Sequence, residues 1–308
     1  MSPEMLEAIA LTIMTAATPL LLAALGELVV ERSGVLNLGV EGMMIIGAVS
    51  GFAAAQLTGN AWAGVLLAPI CGALFSLLFA FLTITLATNQ VATGLSLTLL
   101  GLGVSGMAGE AFIGLPGVKL EAITIPVLTD IPLIGKILFG QDPIFYISIA
   151  LVIGLRWFIF STRAGLTLRS VGDNHASAHA LGINVQRVRY LAIMFGGACA
   201  GLAGAHLSLV YTPQWTENMT AGRGWIALAL VVFASWLPGR VMIGAYLFGG
   251  VTILQFHAQA QGVAIPSQFL SALPYVATIV VLVLISANRR MTMKNTPAML
   301  GRPFVPDT

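Results

Sequence analysis

The chain has 308 residues, 57% of them hydrophobic and 8% charged, with a formal net charge of +2 and a mean hydropathy of +0.94. A soluble domain carries about 25% charged residues, so a globule that must face water on all sides is excluded. The composition specifies an all-α, polytopic transmembrane bundle, and the small positive charge reports topology rather than affinity for nucleic acid.

An apolar stretch of roughly 17–25 residues can cross a bilayer. About nine such windows occur, near 6–25, 36–57, 61–87, 91–109, 143–161, 190–211, 225–238, 240–257 and 269–288. The seventh is short for a full crossing and reads as a broken or re-entrant helix. Gly and Pro recur inside the windows, as neighbouring helices permit in lipid.

Between the first two windows, residues 26–44 read GELVVERSGVLNLGVEGMM, placing Glu27, Glu31, Arg32, Asn37 and Glu41 among glycines. Polar groups at membrane depth are costly unless they face protein or water, which marks them as functional candidates. Gly34 and Gly39 weaken the helix here, and an interrupted helix can expose backbone groups to a midplane cavity. On this reading Asn37 hydrogen-bonds a polar solute, while Glu41 binds hydroxyls or fixes neighbouring backbone. Glu31 and Arg32 are expected near the inner surface. The bland alternative, a cytoplasmic loop, stays open at this level. A second polar cluster, TNQVATGLSLT at 88–98, starts a span with Asn89 and Gln90. Thr93, Ser96 and Thr98 there can line a polar path or make only capping and interhelical bonds.

GLGVSG at 101–106 matches G-x-G-x-x-G but lies inside an apolar span with no strand before it, so it lacks the phosphate-binding context. Residues 110–142 form a long outer loop, rich in Pro and Gly, expected to pack over the outer mouth. Residues 162–190 form the long inner loop, TRAGLTLRSVGDNHASAHALGINVQRVRY. Within it, residues 176–181 favour helix, Asp173 or Asn174 can cap it, and Gly182 can end it. His175 and His179 stand four apart, but with no third ligand evident they read as surface histidines. The next span carries FGGACAGLAGA, whose small residues four apart let helix backbones approach closely. Beyond Ser286 the chain is basic, with three prolines, and residues 289–308 read as a loosely ordered cytoplasmic tail.

Placing the C-terminus inside gathers Arg32, Arg156, Arg163, Arg169, Arg187, Arg189, Arg240, Arg289, Arg290, Lys294 and Arg302 on the cytoplasmic side. That is 11 of the 14 Lys and Arg residues, leaving Lys119, Lys136 and Arg223 outside. An odd number of spans then puts the N-terminus outside. Cys71 and Cys199 fall inside spans and read as small apolar residues. The whole chain reads as a single membrane domain. It has no G-x-x-x-x-G-K-[ST] loop for ATP, no G-x-S-x-G and no paired acids in the later spans, so catalysis by this chain is not expected.

ERSGVLNLGVEGMM, NQVATG, the inner loop from Gly165 to Val185 and GRGWIALALVVF at 222–233 together resemble the membrane permease subunits of ATP-binding cassette importers. The resemblance covers nearly the whole chain. It is strongest to the branched-chain amino acid and simple-sugar class, and within it to nucleoside permeases. It implies a multi-pass protein of the bacterial inner membrane, paired with the same or a similar permease and served by an extracytoplasmic binding protein. ATP and Mg would be bound by separate ATPase subunits. It also implies that the inner loop docks into the ATPase, with Arg169, Gly172, Asp173, Asn174, Ala178, Gly182 and Ile183 at positions matching the family pattern. Asp173 stands where Glu is more usual, Trp225 where Phe is common, and SWLPGR departs from the usual sequence. Many relatives carry an additional span ahead of the first one here. Asn37, Glu41 and Asn89 are then expected along the path of a nucleoside or simple sugar. The competing class, an ion-coupled secondary transporter, requires acids deep in several spans, and the sequence offers chiefly Glu41 and Glu27.

Overall fold

A computed structural model describes residues 3–124, 129, 134–260, 266–286 and 295–305. The architecture is helical. Its helices are α1 Pro3–Arg32, α2 Val40–Thr58, α3 Ala61–Ala80, α4 Gln90–Gly109, α5 Ile134–Phe139, α6 Pro143–Ser161, α7 Arg163–Asp173, α8 His175–Ala180, α9 Val185–His206, α10 Arg223–Phe233, α11 Pro238–Ala260 and α12 Ser267–Ser286. One π-turn each extends α3 and α9, to Thr85 and Tyr211.

Seven of these, α1 to α4, α6, α9 and α11, are long and apolar enough to cross a membrane by length and composition. The seventh apolar window corresponds to α10, only 11 residues long, and the ninth to α12. At about 1.5 Å per residue, α10 reaches roughly half a bilayer. Large apolar side chains cover the perimeter, including Leu66, Leu74, Leu99, Met107 and Ile153, each at least 60% exposed. Such a surface is compatible with lipid and not with water.

The centre of the bundle is built from small residues. Spans α2 and α9 are the most enclosed, with 72% of the residues in their most apolar stretch buried, against 28% for α4. A β-carbon on Gly201 of α9 would overlap the Ala68 carbonyl of α3, and one on Gly204 would overlap the Met44 carbonyl of α2. The FGGACAGLAGA run thus serves close helix packing, where dispersion between touching backbones replaces the hydrophobic drive absent in lipid. Ser208 adds a bond across the interface, its Oγ donating to the Ala48 carbonyl at 2.9 Å. Cys199 is buried and Cys71 half-buried, both as free thiols.

Asp142 caps α6 by accepting from the amides of Ile144 and Phe145 at 2.9 and 3.0 Å, with Pro143 in the first turn. Its other oxygen lies 3.4 Å from Nε2 of the buried His206, which ties the start of α6 to the end of α9. The described part of the 110–142 loop lies across this end of the bundle. Gly117 donates to the Pro213 carbonyl, Leu120 to that of Leu209 and Ile123 to that of Gln141.

At the opposite end the described part of the tail, residues 295–305, differs from the expectation made for 289–308, of which residues 289–294 and 306–308 lie outside the described residues. Residues 299–305 are docked against the inner loop: Met299 donates to the Gly172 carbonyl at 2.9 Å and Gly301 to that of Gly34 at 3.1 Å, while Phe304 is buried. Composition suggested looseness because the segment is short, basic and proline-containing. Backbone pairing and one buried ring outweigh that.

Candidate functional site

Helix α1 ends at Arg32, α2 begins at Val40, and the chain between them is an irregular break inside the bundle. Gly34 turns it with φ +85°, a conformation glycine adopts without cost. Non-helical backbone at this depth is tolerated only if its polar groups find partners in the protein, and here side chains supply them. The Leu36 amide donates to Gln90 Oε1 at 2.8 Å, the Asn37 amide to Glu27 Oε1 at 3.2 Å and the Gly39 amide to Asn37 Oδ1 at 3.0 Å. The Leu38 carbonyl accepts from Thr98 Oγ1 at 3.1 Å, and the Ser33 carbonyl from Arg189 Nε at 3.2 Å.

Each of the three acids in the 26–44 stretch has an internal partner. Glu27, 1% exposed, also accepts from Asn37 Nδ2 at 3.3 Å. Glu31, one turn later and equally buried, accepts from the indole Nε1 of Trp236 at 2.5 Å. Arg32 donates to the Trp236 carbonyl at 2.9 Å and is 5% exposed, so Glu31 and Arg32 are buried under the α10–α11 turn, with the Arg32 backbone against Gly172 of the inner loop. Ser235 and Trp236 form that turn with φ values of +51° and +54°, unusual for residues with a β-carbon. The bonds from Trp236 to α1 hold it there.

Glu41, in the first turn of α2, grips α10. Its Oε1 accepts from the Gly222 amide at 2.8 Å and its Oε2 from the Gly224 amide at 2.6 Å. These are orphan donors at the start of α10, where the helix dipole also favours a negative group. Asn37 and Glu41 therefore bind the protein's own backbone, 0% and 3% exposed respectively. Asn89 is different. It caps α4 by accepting from the Ala92 amide at 3.0 Å, is exposed, and borders a surface groove with Gly301 and Pro303.

The inner loop folds as two helices. Thr162 caps α7 by accepting from the Gly165 amide at 3.0 Å, and Asn174 caps α8 by accepting from the Ser177 amide at 3.0 Å. Gly182 closes α8 in the left-handed region, φ +83°, its amide donating to the His179 carbonyl at 2.8 Å. The sequence offered Asp173 or Asn174 as cap, and Asn174 takes the role. Gly172 is buried where α7 crosses the end of α1, and a β-carbon there would overlap the Arg32 carbonyl. Arg169 lies over the Phe160 ring at 5.4 Å, Ala178 is buried, and Ile183 is half-buried with its amide on the Ala178 carbonyl at 3.1 Å. Asp173 is exposed. So the structure brings Arg169, Gly172, Asp173, Asn174, Ala178, Gly182 and Ile183 into one folded unit seated on the end of α1.

Three residues of this region escaped the sequence reading. Leu181, at the tip of α8, is 82% exposed, an apolar side chain projecting from a polar loop. Phe304 lies against His175 and His179, with ring centroids 5.2 and 5.3 Å away, so the two histidines frame an aromatic ring. Arg189 is fully buried behind them. Only the Leu181 signal, a large apolar residue before a helix-ending glycine, was visible in the sequence. Among the described residues no group of three His, Cys, Asp or Glu could hold a metal ion.

Residues 9–286 match the family model for the branched-chain amino acid transport system / permease component. A Haloferax volcanii protein provisionally named glucose ABC transporter permease protein TsgC13 is 41% identical over 289 residues, covering 87% of this chain and 88% of its own. The guanosine ABC transporter permease protein NupQ of Bacillus subtilis is 37% identical over 286 residues, 86% and 88% of the two chains. The nucleoside ABC transporter permease protein NupC of Lactococcus lactis subsp. cremoris is 36% identical over 280 residues, 87% and 88%. With a broken helix clamped inside an apolar bundle and a folded inner loop seated on that break, the chain belongs to the permease-component family of branched-chain amino acid transport systems and is a membrane permease subunit of an ATP-binding cassette importer.

Proposed function

We propose that this permease carries a nucleoside or related simple-sugar-type solute inward, and that α7 and α8 couple it to a separate ATPase chain that binds Mg-ATP. The observation that carries the reading is the seat of the inner loop. Gly172 of α7 touches the backbone of Arg32, the last residue of α1, so a push on α7–α8 reaches the α1–α2 break without an intervening side chain. The exposed Leu181 at the tip of α8 suits an apolar cleft on the ATPase. Rocking of one part of the bundle against another would then alternate access to the path.

In this reading the membrane crossings number about nine, the seven long spans together with α12 and the segment that contains α10, with the N-terminus outside and the C-terminus inside the bacterial inner membrane. A second permease, identical or similar, completes the channel, and an extracytoplasmic binding protein delivers solute at the 110–142 end. Asn37 and Glu41 shape the path by holding the backbone of the break and the start of α10, and Asn89 stands at its inner mouth. The nucleoside part of this reading rests on the permeases NupC and NupQ, 36% and 37% identical and named for nucleoside and guanosine, and the simple-sugar part on the 41% identical permease named for glucose. The test is uptake by proteoliposomes holding the complete complex. Guanosine, uridine and glucose are offered singly, each with and without ATP on the ATPase side. ATP-dependent accumulation of a nucleoside supports the nucleoside assignment, accumulation of glucose alone replaces it with the simple sugar, and accumulation of none of the three with ATP overturns the reading.

A further inference from the structure

The tail, the inner loop and the break in α1–α2 meet at one point. Arg189, at the start of α9 and 0% exposed, donates from Nε to the Ser33 carbonyl at 3.2 Å, from Nη1 to the Arg302 carbonyl at 3.2 Å, and from Nη2 to His175 Nδ1 at 3.1 Å. One guanidinium thus joins the break, the tail and α8. Met299 and Gly301 add backbone bonds to Gly172 and Gly34, on either side of the contact between α7 and α1. Phe304 fills the inner face of α8, buried with Val171, Ala178 and Val185 and flanked by both histidine rings.

Helix α8 has only six residues, too few to hold its shape alone. Its rigidity depends on what lies behind it, and that is Phe304 together with Val171 and Val185. A force applied at the exposed Leu181 would be absorbed by bending α8 unless this backing held.

We propose that residues 299–305 are a strap that makes α8 move as one body with the α1–α2 break, with Phe304 and Arg189 as positioning residues for coupled transport. This rests on the reading of α7–α8 as the ATPase-docking segment and adds to it a second connection, running through the tail, beside the direct contact at Gly172. Arg189 is suited to the task because its planar fork reaches three partners at fixed angles, which a lysine ammonium does not reproduce.

The experiment uses the full complex in proteoliposomes, with wild type, Phe304→Ala, Phe304→Leu and Arg189→Lys compared. Three quantities are read: ATPase co-purified per permease, ATP hydrolysed, and solute taken up per ATP. The strap predicts that Phe304→Ala and Arg189→Lys retain the ATPase and its hydrolysis while uptake per ATP falls at least about fivefold, the low end of ordinary coupling between sites. Phe304→Leu, which refills the apolar space, recovers most of the loss. A wild-type ratio of uptake to hydrolysis in Phe304→Ala overturns the proposal, as does the same result in Arg189→Lys should Phe304→Ala not fold. Loss of the ATPase from Phe304→Ala also overturns it, since Phe304 would then belong to the docking surface itself. Failure of wild type to retain any ATPase removes the docking reading, and the strap with it; a wild-type complex with an unchanged ratio in the variants removes the strap alone.

Discussion

Truncating Glu41 to alanine distinguishes a structural clamp from a solute ligand. In the folded protein its two oxygens accept from the Gly222 and Gly224 amides at 2.8 and 2.6 Å, and the side chain is 3% exposed. Without the carboxylate both N–H groups at the start of α10 lose their acceptor. Leaving a buried donor unsatisfied costs about 1–3 kcal/mol. Gly224 is buried and bears that cost in full, whereas Gly222 is half-buried and regains part of it from water. The sum is roughly 2–4 kcal/mol, with the lost helix-dipole interaction contained in it rather than added. Glu41→Gln keeps one carbonyl acceptor but turns an NH2 toward an N–H, so an intermediate loss is expected. Unfolding by SDS titration in mixed micelles reads the difference, and equilibrium binding of the solute is measured on the same samples. A Glu41→Ala protein within about 0.5 kcal/mol of wild type, the range of a neutral surface change, would refute the clamp. If its stability held while solute affinity collapsed, Glu41 would be a ligand for the solute.

Three further outcomes follow from the same geometry. Gly172→Ala places a β-carbon on the Arg32 carbonyl, and such overpacking costs about 1–3 kcal/mol; uptake should fall while membrane insertion, followed by protease accessibility, persists. Gly182→Pro fixes φ near about −65° where +83° is needed and deletes the amide that donates to His179. ATPase co-purification should be lost, and full transport by this variant would contradict the role given to α8. His175 has its pKa held below the ordinary 6.5 by burial first, then by the nearby charges of Arg189 and Arg302. The unfolded chain therefore binds a proton more readily than the folded one. The stability that neutral His175 contributes is complete above pH 6.5 and is lost as pH falls through the lowered value. The melting temperature of wild type should drop between pH 7.5 and pH 5 by more than that of His175→Gln, and equal drops would exclude His175 as the titrating group.

What the sequence determined by itself is the environment and the local punctuation. Eight per cent charged residues cannot cover a water-soluble surface, so the membrane follows from composition alone. Asn174, Gly182 and Gly34 act within a turn or two of their own position. Capping and left-handed glycine are short-range physics, and these residues could be read directly. The small-residue run in α9 likewise announced close packing, though not its partners. The tertiary structure decided everything that depends on pairing distant residues. Glu41 is joined to Gly222 across 181 positions and Glu31 to Trp236 across 205, and no periodicity encodes either bond. Asn37 and Glu41, read from the sequence as path residues, accept from backbone amides of the break and of the start of α10, bonds that a break in a medium without water requires. The tail reads as loose for the same reason: nothing in its composition reveals that Phe304 has a pocket between two histidines, because that pocket is made by a loop more than a hundred residues earlier.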